Sequence, residues 1–167
     1  MKHRVIDSPV GPLTLVVDDA GVLCALYTDG QKYVPDAVGL GERDDTIADD
    51  AVAQLGEYFA GTRDDFDLTL APRGTAFQAE VWEALRAIPA GETRTYGELA
   101  RELGRPGASR AVGAATGRNP ISIIVPCHRL VGASGAMTGY AGGVEKKQQL
   151  LSLEGRLFDD AGRALLR

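Results

Sequence analysis

Near Arg73 the apolar residues of this 167-residue chain change their spacing, and that change constrains the fold more than any other feature. Before it they alternate or run in short blocks. Arg4–Ser8, Leu13–Asp18 and Val22–Thr28 read as strands, whose side chains repeat on one face every second residue. The turn formers Pro9-Val10-Gly11-Pro12 and Asp19-Ala20-Gly21 separate them, which predicts an antiparallel meander. Ala51, Leu55 and Phe59 mark one helix stopped by Gly61, and Phe66–Leu70 alternates like another strand. After Arg73 the spacing becomes helical. Thr75 with Gln78 forms a capping box, and Phe77, Val81, Leu85 and Ile88 make a stripe ended by Pro89-Ala90-Gly91. The expectation is a mixed α/β (α+β) chain of two domains. Residues 1–72 form an N-terminal antiparallel sheet with a helix, and residues 73–167 a mostly helical C-terminal domain.

Within the second domain, Thr95 with Glu98 opens a short helix running to about Leu103. Gly104-Arg105-Pro106-Gly107 breaks it, and a second helix runs from Ala108 to about Thr116. Helix, tight turn, helix is the spacing of a helix-turn-helix that lays its second helix in a DNA groove. Two such helices also occur as plain packing, so the spacing by itself leaves both readings open. A second helix of Ala, Gly and Val carrying only Arg110 has few side chains to read base edges, and it suits close, sequence-independent approach to a backbone.

Charge is divided in the same place. Met1 to Leu70 carries 5 basic and 14 acidic residues, a net −9, whereas Ala71 to Arg167 carries 13 and 9, a net +4. Six arginines lie within Arg94–Arg129, facing only Glu98 and Glu102, so a basic patch is expected around them, with a solvated charged face as the alternative. With 44% hydrophobic and 25% charged residues the chain has an ordinary globular balance, and no stretch approaches a membrane span or a signal peptide. The expectation is a cytoplasmic protein with no membrane partner. Cys24, Cys127, His3 and His128 are the only cysteines and histidines, too few for a disulfide framework or a tidy zinc site, so neither a metal nor a cofactor is expected.

The two cysteines read differently. Cys24, inside Val22-Leu23-Cys24-Ala25-Leu26, fits an inert buried hydrophobe. Cys127 follows the β-like run Ile121–Val125 and Pro126, where the chain must turn, and precedes His128 and Arg129. Cationic neighbours favour the thiolate, which is the attacking species. Adjacent side chains on a strand diverge, so a bridging water is the natural route for a proton from Cys127 to His128, with a carboxylate behind the imidazole fixing its tautomer. Glu154, after the helical segment Val144–Leu153, is the candidate; on position alone it equally reads as an exposed helix-end acid.

Pro126-Cys127-His128-Arg129, with Asn119-Pro120-Ile121 before it and Gly139-Tyr140-Ala141-Gly142-Gly143 after it, resembles the active-site region of the O6-alkylguanine-DNA alkyltransferases. The resemblance extends to Phe77–Ala100 and to Ser8-Pro9-Val10-Gly11-Pro12-Leu13, and it is loose over Asp29–Arg73. It implies a ribonuclease-H-like N-terminal domain and a winged-helix-like C-terminal one. Cys127 would accept an alkyl group from O6-alkylguanine, with O4-alkylthymine as a second substrate, in one irreversible, stoichiometric turnover. His128 would act on it through a water, Glu154 would orient the imidazole, and Asn119 would tie the helix-turn-helix to the active-site turn. Tyr96 would face a phosphate and place its hydroxyl near the guanine. Arg110 would fill the gap left by the extruded base, and Tyr96, Ala111, Gly113, Ala114 and Thr116 would share the surface facing the minor groove of double-stranded DNA. The Cys127 and Leu130 carbonyls, the Ala141 N–H, Tyr140 and Gly142 would line the base pocket. Thr116 and Ala141 stand where some relatives carry a larger apolar residue and a serine, which bears on bulky alkyl groups. The protein is expected to be a monomer, cooperative loading on DNA being left open.

Two rivals remain at this level. An alkyltransferase-like protein would bind damaged DNA without repairing it, but such relatives lack the acceptor cysteine. A cysteine hydrolase using Cys127, His128 and Glu154 on an acyl substrate would turn over many times.

Overall fold

The alternating N-terminal blocks pair into a four-stranded sheet. In the computed structural model, which describes residues 1–134 and 140–155 together with the backbone of 157–158 and 164–165, its order is β3-β2-β1-β4. β1 (Lys2–Ile6) pairs antiparallel with β2 (Leu13–Val17), and β2 pairs antiparallel with β3 (Leu23–Thr28). After the single helical turn α1 (Ala37–Leu40), the two-residue β4 (Glu42–Arg43) adds parallel to the other edge of β1. β1 ends at Ile6, before Ser8, because the Ser8 hydroxyl and carbonyl accept the Val10 and Gly11 N–H groups and close the turn. β2 is central, and Leu13, Leu15, Val16 and Val17 are all buried, as expected for a strand covered on both sides.

α2 (Asp49–Phe59) opens with Asp49 and Asp50, acids well placed against the positive end of the helix dipole. Its buried stripe is Ala51, Leu55 and Tyr58, so the expected third member, Phe59, is displaced by its neighbour. Aromatic packing explains the rotation: the Tyr58 ring lies 5.4 Å from that of Phe66, and Phe59 meets Tyr58 edge-on at 5.2 Å. The expected strand Phe66–Leu70 is corrected to a loop, in which only Leu70 forms a bridge, to Leu23. The Gln54 side chain bonds both the N–H and the carbonyl of Asp67, supplying what a neighbouring strand would have supplied.

In the C-terminal part, α3 (Ala76–Arg86) carries the complete Thr75–Gln78 capping box and buries Val81, Trp82 and Leu85. The Trp82 indole N–H donates to the Ala115 carbonyl at 2.8 Å, pinning α3 to α5 (Ser109–Gly117). Between them lie β5 (Arg94–Thr95) and α4 (Tyr96–Glu102), the latter capped by Thr95 Oγ1, which accepts from the Glu98 N–H. β6 (Leu130–Val131) pairs in parallel with β5, and α6 (Val144–Leu153) follows. β7 (Leu157–Phe158) and β8 (Ala164–Leu165) pair antiparallel.

The chain divides into two compact units, Met1–Arg73 with Pro120–Ser122, and Gly74–Asn119 with Ile123–Arg167, so the division is not a single cut. Within the first unit Leu26 and Ile121 form one parallel bridge, Leu26 donating to the Pro120 carbonyl and accepting from the Ser122 N–H. The expected β-like run Ile121–Val125 stops there. Residues 122–124 form a turn with Ile123 at φ 73°, a left-handed conformation costing a β-branched residue about 1–2 kcal/mol. Burial of Ile123 and Ile124, worth roughly 1.5–3 kcal/mol apiece, offsets it.

Candidate active site

That strained turn delivers Pro126 and the 3₁₀ turn Cys127–Arg129 to the interior of the second unit, with all three residues of the turn buried. The Arg129 N–H donates to the Pro126 carbonyl at 2.9 Å, and the chain then enters β6, whose Leu130 and Val131 pair with Arg94 and Thr95. Since Tyr96 follows Thr95 directly, the strand pair fixes the start of the helix-turn-helix beside the cysteine turn.

Behind the turn lies a network centred on Glu154, the C-cap of α6, whose side chain is 2% exposed. One carboxylate oxygen takes the His128 Nε2–H at 2.8 Å and the Arg129 Nη2–H at 2.9 Å; the other takes the Arg129 Nε–H at 2.9 Å. The third arm of Arg129 donates to the Ile88 carbonyl at 2.6 Å. Burial works against the Glu154 charge, but the imidazole and the two-pronged guanidinium outweigh it and hold the carboxyl far below its usual range. Gly91, at φ 84°, lies against the helix end: a Cβ there would sit 3.2 Å from the Glu154 carbonyl oxygen. The reading of Glu154 as an exposed helix-end acid is therefore overturned.

An ionised carboxylate can only accept, so His128 carries its proton on Nε2 and presents the lone pair of Nδ1. Nδ1 is buried and has no hydrogen-bond partner among the described residues. Burial lowers the His128 pKa despite Glu154, so the imidazole is neutral at neutral pH and able to take a proton.

Cys127 is 7% exposed, and burial pushes its thiol up. Against burial act a hydrogen bond from the Asn119 side chain, the charge of Lys147, and the N–H groups of Cys127 and His128. The sequence-based expectation of activation by the adjacent cations is thus corrected: Arg129 is turned onto Glu154 and Ile88, and His128 is neutral. The working cation is Lys147, on α6 and 1% exposed, which sequence reasoning missed. Its signal was available, because residue 147 shares the inward helical stripe with Leu150, Leu151 and Glu154. The Asn119 Nδ2 also donates to the Val125 carbonyl at 2.9 Å.

On α5, Arg110, Ala111 and Ala114 are exposed and Gly113 is half-buried. The Tyr96 ring lies over Gly113, 3.6 Å from where a Cβ would be. Thr116, expected to share a surface with them, is instead 5% exposed and donates its hydroxyl to the Val112 carbonyl at 2.7 Å. The basic patch is also smaller than counted. Arg94 pairs with Glu92 and Glu102, Arg105 with Glu80, and Arg129 with Glu154; Arg101, Arg110 and Arg118 are exposed. Leu130 and Tyr140 are buried, and Ala141 and Gly142 half-buried in the turn entering α6. Gly139 of the same motif lies outside the described residues. Among the described residues no cluster of His, Cys, Asp or Glu could hold a metal ion, and no helix is long and apolar enough to cross a membrane.

Comparison with known proteins adds an independent finding. Residues 1–72 match the family model described as "6-O-methylguanine DNA methyltransferase, ribonuclease-like domain", and residues 76–156 match that family's DNA binding domain. A methylated-DNA–protein-cysteine methyltransferase of Mycolicibacterium paratuberculosis is 53% identical over 156 residues, 93% of each chain. One of Methanosarcina acetivorans is 50% identical over 155 residues, 93% of this chain and 99% of that one. Among solved structures, Mycobacterium tuberculosis OGT in complex with DNA superposes with a TM-score of 0.85 at 51% identity, covering 92% of each chain.

Proposed function

This chain belongs to the 6-O-methylguanine DNA methyltransferase family, and on that premise we propose that it repairs DNA by moving the alkyl group of O6-alkylguanine onto its own Cys127. The observation that carries the reading is the buried Cys127, with an Asn119 donor on its sulfur, beside a neutral His128 whose Nε2–H is held by an ionised Glu154.

The chemistry follows from that arrangement. The Cys127 proton passes to His128 Nδ1, across a water that this buried nitrogen is suited to hold. Glu154 accommodates the imidazolium that forms. The thiolate attacks the O6-alkyl carbon, a carbon–sulfur bond forms as the carbon–oxygen bond breaks, and the electron pair stays on the guanine oxygen. Tyr96 supplies the hydrogen bond or proton that this oxygen needs. The thioether has no hydrolytic exit, so each molecule acts once. Because O6 is inside the duplex, the nucleotide must leave the stack at a cost of a few kcal/mol. Arg110 fills the gap from the minor groove, and the small surface of Ala111, Gly113 and Ala114 lets α5 approach closely. The base rests against Leu130, Tyr140, Ala141 and Gly142. Residues 73–167 do this work as a monomer, and residues 1–72, acidic overall, stay off the DNA.

Incubation of the protein with a limiting and then an excess amount of duplex carrying O6-methylguanine tests this. Unmodified guanine should appear in a one-to-one ratio with protein and then stop. Guanine released over many turnovers, or DNA bound with no guanine restored, would overturn it in favour of a hydrolase-like or a merely damage-binding protein.

A further inference from the structure

Pro120–Ser122 belong to the first compact unit, although Asn119 before them and Ile123 after them belong to the second. The chain leaves the second unit and returns to it within these residues. Their backbone is tied to β3 by the bridge of Leu26 to Ile121, the Leu26 N–H donating to the Pro120 carbonyl and the Ser122 N–H to the Leu26 carbonyl. A slip of one residue there would turn each side chain to the opposite face, so the register has to be fixed. Past the bridge the pairing is taken up by a side chain. β3 ends at Thr28, Gly30 at φ 74° turns the chain back, and Gln31 Oε1 accepts the Thr28 N–H at 2.9 Å, the Thr28 hydroxyl at 3.1 Å and the Ser122 hydroxyl at 2.9 Å. All three residues are buried. An apolar side chain in place of Gln31 would leave both hydroxyls in the interior without this acceptor, so the contact serves to fix geometry rather than to fill space.

Both ends of the same loop lie in the second unit. The Asn119 Nδ2 donates to the Val125 carbonyl at 2.9 Å and closes the loop at its base, directly before Pro126 and the Cys127 turn. On the way back Ile123 stands at φ 73°, a conformation that persists only where neighbouring contacts over-determine it. We propose that Gln31, in the domain that carries none of the reacting groups, is a positioning residue for alkyl transfer. Its bond to Ser122 sets the register of residues 120–122, and the loop from Asn119 to Val125 carries that register to the Cys127 turn. This rests on the alkyl-transfer reading above. Displacement at the alkyl carbon needs the sulfur in line with the breaking bond, where a misplacement of about 1 Å from a distant change can cost about 10²-fold.

Gln31→Met keeps the length and removes the acceptor, Gln31→Glu keeps an acceptor oxygen in the same place, and Ser122→Ala removes the donor alone. Methyl transfer is followed in single turnover against increasing duplex carrying O6-methylguanine, at a temperature below the onset of melting of every variant. The limiting rate should fall by roughly 10–100-fold in Gln31→Met and in Ser122→Ala, with the half-saturating duplex concentration unchanged. Gln31→Glu should stay close to wild type. The double variant Gln31→Met/Ser122→Ala should be no slower than the slower single one, since both changes remove the same bond. A limiting rate near wild type in Ser122→Ala overturns the proposal, as does slowing in Gln31→Met that Gln31→Glu shares, which would be a packing defect. Should Gln31→Met not fold, Ser122→Ala, which leaves Gln31 its two Thr28 donors, decides alone. A wild-type protein that restores no guanine removes the alkyl-transfer reading and this proposal with it, whereas wild-type transfer matched by Ser122→Ala removes this proposal alone.

Discussion

Two buried cysteines separate the working half of this protein from its support. Cys24, in β3, is 5% exposed; Cys127, in the 3₁₀ turn, is 7% exposed, and burial raises the pKa of both. A positive charge acts against burial at both, Arg73 at Cys24 and Lys147 at Cys127, but their hydrogen bonds differ in kind. The Cys24 thiol donates to the Val16 carbonyl at 3.5 Å, a bond that needs its proton, and it sits among Val16, Ala25, Tyr27, Leu40 and Ala71. Around Cys127 the Asn119 amide, two backbone N–H groups and the Lys147 ammonium all favour the thiolate. Burial alone does not make a nucleophile; the direction of the hydrogen bonds around the sulfur does.

The largest effect tests that contrast at its root. Cys127→Ser should abolish methyl transfer, and Cys24→Ser should leave it unchanged, measured as guanine restored per protein. Next in size, His128→Ala should slow transfer by about 10²–10⁴-fold, the range of a lost general base, with duplex affinity retained in a binding assay. Glu154→Ala strands Arg129 and His128 in the interior, and the melting transition should show a loss of about 3–5 kcal/mol, as expected when one partner of a buried pair is removed.

Acid should weaken the Cys127 side of the molecule by a smaller amount. His128 and Glu154 both titrate lower in the fold than in the open chain, so the unfolded state binds more protons as pH falls. The His128 contribution is fully present above about pH 6.5 and is lost on going below it; that of Glu154 starts to go only below about pH 4.3. Urea midpoints taken across this range should fall from the first of these values, and His128→Asn should flatten the upper step.

Much of this contrast was legible in the sequence. The period change near Arg73, the capping box at Thr75 and the distinct settings of Cys24 and Cys127 are local signals, and local signals survive folding. What failed was decided by tertiary partners. Ile121–Val125 has strand composition, yet Ile123 adopts a left-handed turn that only surrounding burial sustains. Gln54 takes over the backbone pairing that Phe66–Leu70 was expected to find in a strand. Arg129 reads as the cation of the cysteine because it is adjacent in sequence, but Glu154 captures it, and Lys147, twenty residues on, stands in its place. Thr116 reads as exposed helix surface, yet its hydroxyl is satisfied by the Val112 carbonyl and it turns inward.

The most direct measurement is peptide-resolved mass spectrometry after reaction with excess methylated duplex. One methyl per protein is expected, on the peptide carrying Cys127, with the Cys24 peptide unmodified however long the reaction runs. Methyl on Cys24, or a restored duplex with both sulfurs unmodified, would contradict it.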